Sequence, residues 1–249
     1  MSGLFIPQSV LRFNSEEMVL SFSPLLSLSI ASSYRQKVAG EMEVKRLREN
    51  QALMEKLRKT LGGTIQVVSR AVELRDPYTA GHQRRAADLA RAIATEMGIS
   101  ADGTDFIRIA CTIHDIGKIS VPAEILSKPT KLTDIEFSLI KAHVQTGYDT
   151  LKDIDFPWPV ADVILQHHER MDGSGYLQGI KGDYLLLESR ILAVADVVES
   201  MASHRPYRPA IGIDAALEEI TKNRGALYDP KVVDICLQLF NEKGYKMVD

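Results

Sequence analysis

Thr104-Asp105-Phe106-Ile107-Arg108-Ile109-Ala110-Cys111-Thr112-Ile113-His114-Asp115 is the stretch on which the fold turns. Phe106, Ala110 and Ile113 recur at helical spacing, and His114 and Asp115 follow at the end of that apolar face. The same signature returns along the chain. His82 shares a face with Ala86, Leu89, Ala90, Ile93 and Met97, and His143 with Ile140, Val144, Gly147 and Leu151. His167 and His168 continue the series Val160, Val163, Ile164. Helices are expected over residues 64–75, 79–97, 104–115, 133–151, 158–169, 188–203, 213–223 and 230–241, with Thr79, Ser100, Thr133 and Asp214 as candidate N-caps. No strand-like alternation of comparable length and no internal repeat competes with this pattern. The fold class read from it is all-α, a helical bundle.

Five of the six histidines therefore point inward. Taken singly, each is most simply a hydrogen-bonded core residue. Together they cost desolvation at every ring unless each finds a partner, and a metal centre satisfies several imidazoles at once. Asp115 and Asp196 join them. Asp196 sits beside the apolar face of Ile191, Val194, Ala195, Val198 and Met201, where a carboxylate needs a hydrogen bond, an ion pair or a cation. Seven such donors exceed one tetrahedral zinc, and no zinc-finger spacing is present. They suit two divalent metals sharing a carboxylate and a solvent oxygen, with Fe, Mn or Ni favoured by imidazole and carboxylate ligands. Such a pair would make a bridging hydroxide nucleophile and attract phosphate, so phosphodiester hydrolysis is the expected chemistry.

Composition excludes several classes. The chain has 249 residues, 45% apolar, with 30 Lys+Arg, 33 Asp+Glu and a net charge of −3, which disfavours a collagen-like or disordered chain and a nucleic-acid polymer as partner. No apolar run reaches the roughly 18 residues of a membrane span, and Met18–Ala31 does not read as a signal peptide. The 2 cysteines, Cys111 and Cys236, read as reduced core thiols of a cytoplasmic protein.

Charge is segregated. Residues 35–59 hold 8 Lys/Arg and 4 Glu, a local +4, which leaves −7 elsewhere. Leu47, Met54, Leu61 and Val68 fall seven apart, with Leu57 and Ala71 at the companion spacing and Asn50 and Thr64 interrupting. A dimerising connector helix and an amphipathic helix packed on its own domain are the two readings. Leu26, Leu28 and Ile30 alternate with serines and suit a short strand. The expected organisation is residues 1–33 as an arm or sensor-domain remnant, 34–61 as connector helix, 62–241 as the principal domain and 242–249 as a tail. Residues 172–182 form a long Gly-rich loop.

At His114-Asp115-Ile116-Gly117-Lys118 and His167-His168-Glu169-Arg170-Met171-Asp172-Gly173-Ser174-Gly175-Tyr176 the sequence resembles the HD-GYP family, a bacterial branch of the HD metal-dependent phosphohydrolases. The resemblance extends through Asp76–His82, His143 and Ala195-Asp196 to His204-Arg205-Pro206-Tyr207-Arg208, over about residues 60–241. It implies an HD-domain bundle that hydrolyses cyclic di-GMP to the linear dinucleotide pGpG or on to GMP, using two Fe or Mn ions. Carried over, the metal ligands are His82, His114, Asp115, His143, His167, His168 and Asp196, with Asp115 bridging. Lys118 resembles the lysine that contacts the scissile phosphate. Tyr176, Arg205, Arg208 and Gly175 resemble substrate-contacting positions, and Glu169 and Asp172 read as loop organisers or orienters of the histidines. Leu177 stands where the family name calls for Pro, which leaves the loop freer and bears on partner-protein recognition and on cyclic GMP-AMP as the substrate. No glutamate between Asp76 and His82 suggests a third metal. The alternatives are a non-catalytic cyclic-dinucleotide receptor and a hydrolase of another phosphoester.

Overall fold

The computed structural model describes residues 24–76, 81–203 and 211–247, with side chains from residue 28 onward. These residues fall into two units divided between Lys59 and Thr60. Among them the α-helices are α1 (Pro24–Glu73), α2 (His82–Glu96), α3 (Ala101–Ile113), α4 (Ala123–Leu126), α5 (Asp134–Leu151), α6 (Val160–Gln166), α7 (Leu187–Ala202), α8 (Ile213–Lys222) and α9 (Pro230–Asn241). Short 3₁₀ turns at Ile116–Ser120 and Gly182–Tyr184 complete the regular structure.

In the first unit, α1 exposes almost every side chain from residue 28 to 59. Here the reading of Leu26, Leu28 and Ile30 as a strand is corrected, because all three lie within α1. Alternation stabilises a strand only when a neighbouring strand and a covered face reward it, and Leu28 and Ile30 are exposed. The helix also runs through Gly62 and Gly63, which joins the expected connector helix of 34–61 to the expected helix of 64–75. Each glycine costs about 1 kcal/mol relative to alanine, too little to end a helix with good formers on either side.

In the second unit, α2 packs on α3 and α7, α5 packs on α6 and on the 116–120 turn, and α7 packs on α8. Leu89, Ile93, Ile107, Ile164, Ile191, Leu192 and Ile220 are fully buried among these helices, each contributing about 1.5–3 kcal/mol by leaving water. Val72, near the end of α1, is also buried, and Ser69 of the same helix donates to Gln83. Local signals place several helix starts. Ser100 accepts from the Gly103 N–H, Thr133 and Glu136 form a reciprocal capping box, and Asp229 accepts from Lys231 and Val232 ahead of Pro230. One expected cap differs: Asp214 sits in the first turn of α8, which Gly212 precedes as N-cap. Thr79 lies outside the described residues.

One close approach sets the position of the 116–120 turn. A Cβ on Gly117 would lie 1.8 Å from the His143 carbonyl oxygen and 2.6 Å from the Gly147 nitrogen, so the turn is pressed against the bare backbone of α5. A Cβ on Gly147 in turn reaches Ile164 Cγ2 of α6 at 3.0 Å, so the absence of its side chain helps α6 close on α5. Gly117→Ala must push the turn off α5. The expected result is destabilisation by roughly 1–3 kcal/mol at the overpacked contact, read as a lower urea midpoint with the helical circular dichroism retained.

Candidate metal centre

Five helices deliver histidine and aspartate to one buried volume. His82 begins α2, His114 caps the C-terminus of α3 with Asp115 next to it, and His143 lies in the middle of α5. His167 caps α6, His168 follows it, and Asp196 lies on α7. All are buried except His168, which is half-buried. The seven residues expected from the sequence are thus brought together.

They group into two sets. Ligand atoms of His82, His114 and Asp115 lie within 4.8 Å of one another, as do those of His143, His167 and His168. Asp196 Oδ1 joins the first set, 3.1 Å from His82 Nε2 and 3.8 Å from His114 Nε2. Asp115 faces both sets: Oδ2 is 3.5 Å from His114 Nε2, and Oδ1 is 3.4 Å from His143 Nε2. Across the sets, the His114 and His167 rings are 5.1 Å apart.

Each of the buried rings is held by its Nδ1. His114 donates to the Cys111 carbonyl at 2.7 Å, His143 to Ile140 at 2.6 Å and His167 to Ile164 at 2.5 Å. In each case the acceptor is the carbonyl three residues earlier on the same helix. His82 Nδ1 instead bonds the carboxylate of Glu199. Glu199 also takes Arg85 Nε at 2.7 Å and the Ser203 hydroxyl at 2.6 Å. An engaged Nδ1 fixes the tautomer and turns the Nε2 lone pair toward the cluster, the arrangement seen around metal-bound imidazole. Glu199 was missed in the sequence. Its signal was a second carboxylate one turn beyond Asp196 on an apolar helix.

Burial disfavours protonation at three of the rings, while the carboxylates stay ionised. Burial, followed by the neighbouring His114 and His143, pushes His167 down to about 3. Burial lowers His143 as well, and takes His168 well below its usual value with His167 and His143 adding to it. Burial would raise the Asp115 carboxyl, but Lys118 and the surrounding imidazoles of His114, His143 and His82 outweigh it and hold it well below the carboxylate range. For Asp196 burial is likewise outweighed, by the His82 hydrogen bond and the charges of His114, His82 and His168. Imidazoles and two ionised carboxylates in two clusters suit divalent cations, so the donors present fit such a pair.

Lys118 Nζ sits 2.7 Å from Asp115 Oδ2 and 3.5 Å from Asp76 Oδ2, which places the ammonium at the rim of the cluster between two carboxylates. Tyr176 lies with its ring 4.8 Å from that of His168, tilted by 31°. Gly175 is where the loop folds back on itself: a Cβ there would lie 2.4 Å from Glu169 Cα and 2.5 Å from the His168 carbonyl oxygen. Glu169 organises the same loop, accepting from the Gln178 N–H at 2.6 Å and the Gly179 N–H at 3.1 Å. Asp172 accepts from the Ser174 N–H at 2.8 Å. His204, Arg205 and Arg208 lie outside the described residues. A separate cavity of about 220 Å³ between the end of α1, α2 and α3 includes none of the seven residues.

An all-helical bundle with His-Asp from one helix end and further histidines from its neighbours is the architecture of a metal-dependent phosphohydrolase fold. The HD domain family model matches residues 66–232, and the chain belongs to that family. It is 38% identical over 218 residues to the cyclic di-GMP phosphodiesterase response regulator RpfG of Xanthomonas campestris pv. campestris, covering 87% of this chain and 57% of that protein. It is 39% identical over 180 residues to a cyclic di-GMP phosphodiesterase of Thermotoga maritima, covering 72% of this chain and 49% of that one. The chain thus spans about half the length of these curated relatives. Among solved structures, a cyclic GMP-AMP specific phosphodiesterase of Vibrio cholerae, V-cGAP3, superposes with a TM-score of 0.56 at 19% identity over 72% of this chain and 49% of that one, a likeness of fold.

The buried neutral histidines set an acid limit on the metal-free protein. Below the ordinary imidazole value of 6.5 the unfolded chain takes up protons that folded His143, His167 and His168 refuse, so stability rises with pH through that range. The carboxylates Asp115 and Asp196 add a loss only below their usual 3.8. Metal-free protein should therefore lose stability between about pH 7 and about pH 5 in urea denaturation. A flat profile would contradict the burial of neutral imidazoles.

Proposed function

We propose that this chain is a phosphodiesterase that opens cyclic di-GMP, yielding pGpG, GMP or both. The observation that carries the reading is Asp115, whose two oxygens face the two histidine sets while its neighbour Lys118 stands at the rim. The names of the two bacterial relatives supply the substrate.

His82, His114, Asp115 and Asp196 are the proposed ligands of one divalent cation, and His143, His167 and His168 of another, with Asp115 shared and Fe or Mn as the metals. Two cations held there would supply an activated water at neutral pH and neutralise phosphate charge. The chain's own residues do the rest. Lys118 is held between Asp115 and Asp76, so its ammonium is already positioned for negative charge that develops on phosphate oxygens. Tyr176 offers a ring face for a guanine, and Arg205 and Arg208 are assigned to the nucleotide on the resemblance. Glu199 fixes the His82 tautomer.

Two finer assignments belong to this reading. No helix among the described residues is long and apolar enough to cross a membrane, which suits the cytoplasm, where a second messenger acts. Leu47, Met54, Leu57, Leu61 and Val68 are exposed on α1 at coiled-coil spacing, which supports a homodimer through this helix with signalling proteins as further partners.

Purified anaerobically with Fe or Mn, the protein should convert cyclic di-GMP to pGpG or GMP, followed by chromatography with cyclic GMP-AMP alongside. Asp115→Asn should abolish turnover, and Lys118→Ala should lower kcat by about 100-fold. Full metal occupancy with binding and no turnover would identify a receptor instead, and preferential turnover of cyclic GMP-AMP would reassign the substrate. Glu199→Gln should lower metal affinity about 10–100-fold while leaving the fold intact, measured by competition with a chelating dye.

A further inference from the structure

Beyond the seven donors and Lys118, α5 brings two residues to the rim that the sequence reading did not single out. Phe137 and Lys141 stand one turn apart, and both reach the loop that follows His168. The Phe137 ring meets Tyr176 edge to face, with centroids 6.3 Å apart and planes at 79°. Lys141 Nζ lies 4.8 Å from the Phe137 centroid and 5.5 Å from that of Tyr176. Tyr176 itself lies against His168, so an aromatic run leads from the centre outward through His168, Tyr176 and Phe137, with one ammonium over its outer half. Phe137 remains 44% exposed, which leaves ring surface uncovered. Among the described residues no carboxylate pairs with Lys141, so its charge is compensated only by the two ring faces, worth about 0.5–1 kcal/mol at a partly exposed site.

Uncovered aromatic surface at Phe137 next to a cation is what a purine needs. A base stacks on aromatic surface for about 1–3 kcal/mol whatever its identity. Identity is read at the edge. Guanine presents two acceptors, O6 and N7, to a lysine ammonium, whereas adenine turns an amino donor toward it at the O6 position. We propose that Phe137, Lys141 and Tyr176 form a guanine-selective subsite, with the exposed Phe137 ring as stacking surface, Tyr176 packed edge to face against it and Lys141 as the group that reads O6 and N7. This rests on the cyclic di-GMP reading and adds to it the residue that selects the base.

The test compares wild type, Lys141→Met, Lys141→Arg and Phe137→Leu as full-length metal-loaded proteins. KM and kcat are measured for cyclic di-GMP and cyclic di-AMP, and Kd for their non-hydrolysable phosphorothioate analogues. Methionine keeps the stem and removes the charge, so Lys141→Met should raise KM and Kd for the guanine ligand about tenfold, with kcat changed little and the adenine ligand barely affected. Lys141→Arg, which can bond the same two acceptors, should restore the guanine preference. Phe137→Leu should weaken both ligands alike. An equal loss for the two bases in Lys141→Met would mean a phosphate contact and overturn the proposal, as would an unchanged Kd. Wild-type protein that binds the guanine analogue but turns over nothing overturns the hydrolase reading while the Kd comparison still decides the subsite. Wild-type protein that binds neither ligand overturns both.

Discussion

The hydrogen bond at Nδ1 is the constraint on which this structure depends. A neutral imidazole has one donor nitrogen and one acceptor nitrogen, and burial forces the donor to find a partner. In His114, His143 and His167 that partner is the carbonyl one turn back on the ring's own helix, whose oxygen has a second lone pair to accept with. His82 begins α2, and there α7 supplies the Glu199 carboxylate instead. With these four Nδ1 atoms engaged, their Nε2 lone pairs must go elsewhere. The packing sends them to one place, where only a cation or a proton could satisfy them together.

Bringing those lone pairs together requires helices to approach more closely than side chains normally permit. Gly117 against the α5 backbone, Gly147 against Ile164 and Gly175 against the His168–Arg170 backbone are the three points where this happens. The first seats the turn carrying Asp115 and Lys118 beside His143. The third folds the loop so that Tyr176 returns over His168. Each glycine is needed here for the absence of a Cβ at a contact, and none of the three has a positive φ. The centre and its rim are therefore parts of one packing arrangement, which is why the residues that would bind substrate stand at fixed distances from those that would hold metal.

Several features were legible before any coordinate. Histidines on apolar helical faces are anomalous because they are expensive to bury, so their positions stand out against a background of Ala, Ile and Val. Ser100 and Thr133 announced helix starts through chemistry confined to four residues. The N-terminal strand reading failed for the opposite reason. Alternation of Leu26, Leu28 and Ile30 is a property of a few residues, and whether it means a strand depends on a partner that sequence cannot reveal. Glu199 was hidden, since a carboxylate on an exposed helix and one that holds a buried ring look the same until the neighbouring element is in place.

The sequence by itself determined that the protein is helical, that its histidines face inward, and that imidazole and carboxylate rather than thiolate make up the donor set. These follow from local periodicity and from the chemistry of single side chains. Only the tertiary structure decided how the donors divide into two sets, that Asp115 stands between them, that Glu199 orients His82, and that Phe137 and Lys141 of α5 meet Tyr176. Those are relations between residues tens of positions apart, and they are settled by how closely helix backbones pack, a quantity that no local pattern encodes.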